Sequence, residues 1–281
     1  MNRLKAHRYF YADLITARAG AMKNERLKGA FASIPREHFV GKGPWKIFAA
    51  GNYIETPSDD PAFLYQDVVV ALAPERRINN GQPVLHAINL AALNVSQGEI
   101  VLHVGAGTGY YTAVLAKLAG TKGAVVAYEV EHDLAQNAMR NLGDLSNVTL
   151  QERSSSEAPL PVCDAIYVSA GATAPLEVWV DALRVNGRLL FPLPPADGPG
   201  GTPGAGAMLL ITRTGTDRFD ARFVCPATFV PCSGARDEQT AQKLSAAFRR
   251  GDLQNVKSLK RNSQPDDTCW CAGNGWWLSN T

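Results

Sequence analysis

Three glycines at alternate positions, Gly105, Gly107 and Gly109, and one acid, Glu129, have the types and spacing that ligand chemistry needs. Residues 99–104 ahead of them are a short apolar run that reads as a strand. Residues 111–119 behind them carry Ala113, Val114, Leu115, Ala116 and Leu118 and read as a buried helix. Strand, glycine turn and helix bring backbone N–H groups against a ligand at a helix N-terminus, and glycine bends the chain there without side-chain bulk. A dinucleotide fingerprint needs glycine at its sixth position, which here is Tyr110, so a nicotinamide-linked oxidoreductase is disfavoured. Glu129 closes the next apolar run, residues 123–129. It stands about twenty residues past the turn, where a sheet of this kind brings a carboxylate to ribose hydroxyls through charge-assisted hydrogen bonds.

Other side chains have chemistry within reach. His103, in the strand before the turn, reads either as a base or orienter for an acceptor that carries a proton, or as a strand histidine hydrogen-bonded beneath the ligand. Asp164 starts a later strand, at the end away from a ligand crevice, and reads as structural. Asn79, Asn80 and Gly81 supply the left-handed conformations that a tight loop needs. The five cysteines are odd in number and scattered, which argues against a disulfide framework; Cys269 and Cys271 lack the spacing of a zinc site.

The elements that must position these residues follow from patterning. Residues 12–32 read as one helix, stopped by Pro35. Residues 41–64, rich in glycine and proline, read as a surface loop or lid, and 84–93 as a helix. From residue 99 strands and helices alternate: helix 132–142, strands 148–151 and 163–169, helix 175–185 and strand 186–193. Alternation of this kind implies a mostly parallel sheet covered by helices on both faces. Residues 194–206 read as a flexible loop, and 207–213 with 219–230 as an antiparallel hairpin. In the tail, 237–250 is an amphipathic helix, 256–260 a strand, and 268–278 a strand pair whose tryptophans read as packing. The expected division is an N-terminal helical and lid segment (1–95), a ligand-binding α/β domain (96–231) and an α+β extension (232–281).

The chain has 281 residues, 46% hydrophobic and 19% charged, with 28 basic and 26 acidic residues and a net charge of +2. This balance argues against a nucleic-acid footprint or a polybasic membrane patch. No apolar run approaches the length of a membrane span, and a cytoplasmic location is expected. No metal site is expected.

Taken in order, these segments resemble the protein-L-isoaspartate O-methyltransferase family. The 1-3-5 glycine turn is similar to motif I of class I methyltransferases. The segment from Ser33 to Val40 resembles the family's "V-P-R-E-x-F-V", and Asn80-Gly81-Gln82-Pro83 its "I-S-Q-P" loop. Residues 163–170 and 186–193 resemble its later cofactor-sheet motifs. The resemblance runs from about residue 17 to 214. It implies an α/β, Rossmann-like sheet, mostly parallel with an antiparallel C-terminal hairpin. It implies S-adenosyl-L-methionine (SAM) as cofactor and methyl transfer to a carboxylate, on an isoaspartyl peptide or a related small acid. Cofactor contacts are expected from His86, Gly105, Ala106, Gly107, Gly109, Glu129 and Val130, and from Glu152 in place of the family's missing Gly-Asp-Gly. Asn80, Gly81 and His103 are the catalytic candidates, with the turn 170–173 lining the acceptor.

The chain departs from the family where the chemistry is done. Gly81 stands where the family has its active-site serine, and His103 where it usually has an acid. Residues 44–60 and the tail beyond about residue 231 are extra. A carboxylate nucleophile is already ionised at neutral pH and needs no base, so the missing serine leaves transfer feasible, with Asn79 or Asn80 as replacement donors. Two alternatives stand beside this reading: a different small-molecule acceptor, and a SAM-binding module without turnover, a homodimer through its Trp-rich tail.

Overall fold

The computed structural model describes residues 3–49, 51–157, 159–198 and 204–281. Helices α1 (Arg3–Arg18) and α2 (Glu25–Ser33) come first, then strands β1 (Lys46–Ala49), β2 (Asn52–Glu55), β3 (Ala71–Ala73) and β4 (Ile78–Asn79) and helix α3 (Pro83–Leu93). An alternating stretch follows: β5 (Ile100–Val104), α4 (Tyr110–Ala119), β6 (Ala124–Tyr128), α5 (His132–Leu142), β7 (Val148–Gln151), β8 (Cys163–Val168), α6 (Glu177–Ala182) and β9 (Leu183–Leu193). The chain finishes with β10 (Gly206–Arg213), β11 (Phe219–Ala227), α7 (Glu238–Arg250), β12 (Ser258–Arg261), β13 (Cys269–Ala272) and β14 (Trp276–Ser279). The structure falls into two compact units, Met1–Gly98 with Ala106–Glu152, and Glu99–Gly105 with Arg153–Thr281. The N-terminal segment clusters with 106–152, and the tail belongs to the second unit.

In the first unit, the single helix expected over 12–32 is two. Gly20 takes a left-handed φ of +69°, and the Asn24 side chain caps α2 by accepting from the Leu27 N–H at 3.0 Å. Tyr11, Ile15, Leu27 and Phe31 are the buried faces of the pair. The stretch expected as a loop over 41–64 contains an antiparallel pair, β1 with β2, with Ile47 opposite Ile54 and Phe48 opposite Tyr53. Its base packs through Trp45 and Ile47 on Leu64 and Val70. Helix α4 is buried along nearly its whole length, whereas α5 buries only Leu134, Ala135, Ala138 and Leu142. Strands β6 and β7 pair in parallel.

In the second unit the strand order is β13-β14-β12-β11-β10-β9-β8-β5. The pairs β5–β8 and β8–β9 are parallel and the rest antiparallel. The antiparallel part therefore extends beyond the expected hairpin: β12 joins it through Phe219 opposite Leu259. Trp270 packs edge-on against Phe223 and Phe248, with centroids 5.1 and 5.4 Å away, in the packing role expected of it. Of the loop expected at 194–206, residues 199–203 lie outside the described residues. Among the described residues no helix is long and apolar enough to cross a membrane, and the cysteines form no disulfide.

Candidate active site

The glycine turn leaves β5 with left-handed φ values of +75°, +56° and +100° at Gly105, Gly107 and Gly109. Other residues pay for such a conformation, and glycine does not. The last two serve different ends. A Cβ on Gly109 would lie 2.9 Å from Leu142, so this glycine lets α4 and α5 close up. A Cβ on Gly107 would meet nothing nearer than Leu72 at 3.8 Å, so the backbone there is open on the side a side chain would fill.

Glu129 follows β6 and is buried. Its Oε2 accepts from the Gly107 N–H at 2.6 Å, and its Oε1 accepts from the N–H groups of Val130 at 2.9 Å and Glu131 at 3.0 Å. The carboxylate thus clamps the open glycine to the end of the neighbouring strand, and the Ala106 N–H donates to Tyr128 O at 3.1 Å beside it. Burial raises the Glu129 pKa above the ordinary carboxylate range, against the lowering effect of its three N–H donors. A carboxylate has about four acceptor positions, so capacity for a hydroxyl remains. Arg76 ties the loop before Asn79 to the segment after Glu129, reaching Glu131 at 2.5 Å and Asp133 at 2.5 and 3.0 Å.

The loop 79–81 is set by a second cluster in the same unit. Asn79 Oδ1 accepts from the Gly81 N–H at 2.9 Å. Asn80 Oδ1 accepts from Val70 N at 3.0 Å and from Arg36 Nη2 at 3.3 Å; its Nδ2 is buried with no hydrogen-bond partner. Arg36 is fully buried and also donates to the carbonyls of Leu64, Gln66 and Val68 at 2.5, 3.2 and 2.6 Å. Sequence reasoning quoted Arg36 only within a motif and gave it no role. The available signal was a cation set among Ile34, Pro35, Phe39 and Val40.

His86, expected at the cofactor, is buried with its ring stacked on Tyr111 at 3.5 Å and 8°. Its Nε2 lies 2.1 Å from where a Cβ on Gly81 would be. Tyr111 is the second residue of α4, so this stack sets the 79–81 loop against the helix that follows the glycine turn. Glu152, expected at the cofactor, has its oxygens bonded to α5, one with His132 Nδ1 at 2.5 Å and one with Gln136 Nε2 at 3.0 Å. Val130 is half exposed beside Glu129.

His103 belongs to the second unit, where Nε2 lies 3.1 Å from Ser169 Oγ and the ring stacks on Tyr167. Burial pushes its pKa down to about 3. A ring held neutral in that way is a weak base, which favours the strand-histidine reading over a catalytic one. Asp164 accepts from Ile100 N at 2.8 Å and Arg184 Nη1 at 2.6 Å, in keeping with a structural role. The turn 170–173 is held by the start of the tail, through Gly171 N to Val230 O at 2.7 Å and Thr173 N to Ala235 O at 3.0 Å.

A family profile described as protein-L-isoaspartate(D-aspartate) O-methyltransferase matches residues 12–236. A protein-L-isoaspartate O-methyltransferase of Methylorubrum populi is 32% identical over 216 residues, covering 76% of this chain and 89% of the relative. One from Brucella anthropi is 30% identical over 213 residues, covering 74% and 86%. Among solved structures, a protein-L-isoaspartate O-methyltransferase superposes with a TM-score of 0.62 at 22% identity, over 84% of this chain and 69% of that one. The Plasmodium falciparum protein solved with S-adenosyl-L-homocysteine (SAH) also gives 0.62, at 18% identity, over 80% and 98%. These likenesses show the α/β methyltransferase fold.

Proposed function

This chain belongs to the protein-L-isoaspartate O-methyltransferase family, and we propose how its own residues serve that chemistry. The protein is a SAM-dependent O-methyltransferase of the protein-L-isoaspartate type. When bound, SAM supplies a methyl group activated by a positively charged sulfonium. The acceptor is an isoaspartyl carboxylate in a polypeptide, ionised at neutral pH, so the protein has to align it and exclude water rather than remove a proton.

Gly105, Ala106, Gly107 and Gly109 offer backbone without bulk to the methionine end of the cofactor. Glu129, with Val130 beside it, takes a ribose hydroxyl at its remaining acceptor position. Asn80 and Gly81 face the acceptor, in a loop held by Asn80 Oδ1 accepting from Val70 N and by Asn79 Oδ1 accepting from Gly81 N. The observation that carries this reading is the buried Glu129 carboxylate bonded to the N–H of an open glycine.

Calorimetry with SAH tests the cofactor half: wild type binds, and Glu129→Ala loses most of the affinity. Binding that is absent in wild type, or unchanged in the variant, sinks it. Release of SAH with an isoaspartyl peptide, against no release with the matching aspartyl peptide, tests the acceptor half.

A further inference from the structure

Side chains alternate across a strand, so Phe48 and Tyr53, directly opposite in β1 and β2, share one face of the pair, and Ile47 and Ile54 share the other. Ile47 is buried against the base of the unit. Both rings are uncovered, Phe48 45% and Tyr53 36% exposed and edge to face at 5.4 Å; on the other face Ile47 is covered while Ile54 is 51% exposed.

The aromatic face abuts the loop 79–81. The Tyr53 phenol lies beside the Asn79 side chain, whose Oδ1 holds the Gly81 N–H at 2.9 Å. The two strands stand on the segment that holds Asn80: Phe48 N donates to Val69 O at 2.8 Å, and the next residue, Val70, donates to Asn80 Oδ1 at 3.0 Å. Lys46 and Glu55, opposite one another, offset each other's charge, so the face offers apolar rather than ionic selection.

We propose that Phe48 and Tyr53 form an apolar wall that receives the side chain following the isoaspartyl residue of a polypeptide acceptor. The enzyme thereby prefers acceptors with a bulky apolar neighbour at that position. This rests on the reading of the 79–81 loop as the acceptor site. A second copy of the chain does not suit the face, because two half-exposed rings fall far short of the roughly 800 Å² per partner that a stable dimer buries.

The test uses the full chain, SAM and two isoaspartyl peptides of equal length, one with leucine and one with glycine after the isoaspartyl residue. Wild type is expected to favour the leucine peptide by about tenfold in kcat/KM, the scale of one well-packed aromatic contact. Phe48→Ala brings that ratio towards one, while Tyr53→Phe, which keeps the ring, retains it. A ratio near one in wild type, or one that survives in Phe48→Ala/Tyr53→Ala, overturns the proposal while leaving the acceptor reading intact. Wild type that binds SAH but turns over neither peptide rejects the acceptor reading and the wall with it.

Discussion

A Cβ on Gly81 would stand 2.1 Å from Nε2 of His86, so one space serves either a side chain at position 81 or the imidazole at 86. The ring cannot swing aside without leaving its stack on Tyr111, and the loop holds Gly81 at a φ of +74°. Gly81→Ser is therefore expected to cost about 1–3 kcal/mol in overpacking and about 1–2 kcal/mol in backbone strain. In a His86→Ala background only the strain remains. Thermal melts of the double-mutant cycle check this: the two changes are expected to be non-additive, and simple additivity would show that the two groups do not compete.

Arg36 supports the same loop from beneath. Arg36→Met keeps much of the volume but leaves the carbonyls of Leu64, Gln66 and Val68 without that donor. Each buried acceptor left bare costs about 1–3 kcal/mol, so a loss of about 3 kcal/mol or more is expected. In a protein of this size that lowers the Tm by roughly 10 °C. Arg36→Lys recovers only part of it, since one ammonium cannot span a guanidinium's fork. A loss below about 1 kcal/mol in Arg36→Met would mean the carbonyls find other donors.

The meeting of the glycine turn with the acid after the next strand was legible because it is local. A glycine turn and an acid one strand later are placed by chain neighbours, and the Gly107 N–H donates to Glu129. What escaped is built by distant partners. Arg36 earns its role only when residues 64–80 fold over it, and the contacts of Glu152 with His132 and Gln136 depend on where α5 packs. The β1–β2 pair hides in a glycine- and proline-rich stretch, because four-residue strands are too short for alternation to distinguish them from a loop. Pairing of β12 with β11 depends on strand order, which periodicity does not specify.

His103 gives the folded protein an acid-side weakness. Burial lowers its pKa from 6.5 to about 3, so the unfolded chain takes up a proton before the folded one does. Stability present above the unfolded value is lost as pH falls through this window, by up to about 1.4 kcal/mol per pH unit. Urea midpoints for wild type and His103→Gln at about pH 7 and pH 5 read the effect. The variant should lose about 2 kcal/mol less over that interval, and equal losses would mean the imidazole titrates normally.

Glu129 predicts opposite pH slopes for the free and the liganded protein. Its carboxyl titrates above the ordinary range because burial opposes the charge. In the free protein, its contribution to stability is present below the unfolded value and is lost as pH rises through the raised one. A ribose hydroxyl favours the ionised form, so binding lowers that pKa again and releases a proton. Affinity for SAH should accordingly increase with pH across the same window in which the free protein weakens. Glu129→Gln removes the slope and weakens binding at neutral pH by about 10- to 100-fold, the scale of lost charge-assisted hydrogen bonds. Calorimetry in two buffers of different ionisation enthalpy reads the released proton directly. A wild-type affinity that stays flat as pH rises above the ordinary carboxylate range, with no proton released, would take this carboxylate out of the sugar contact.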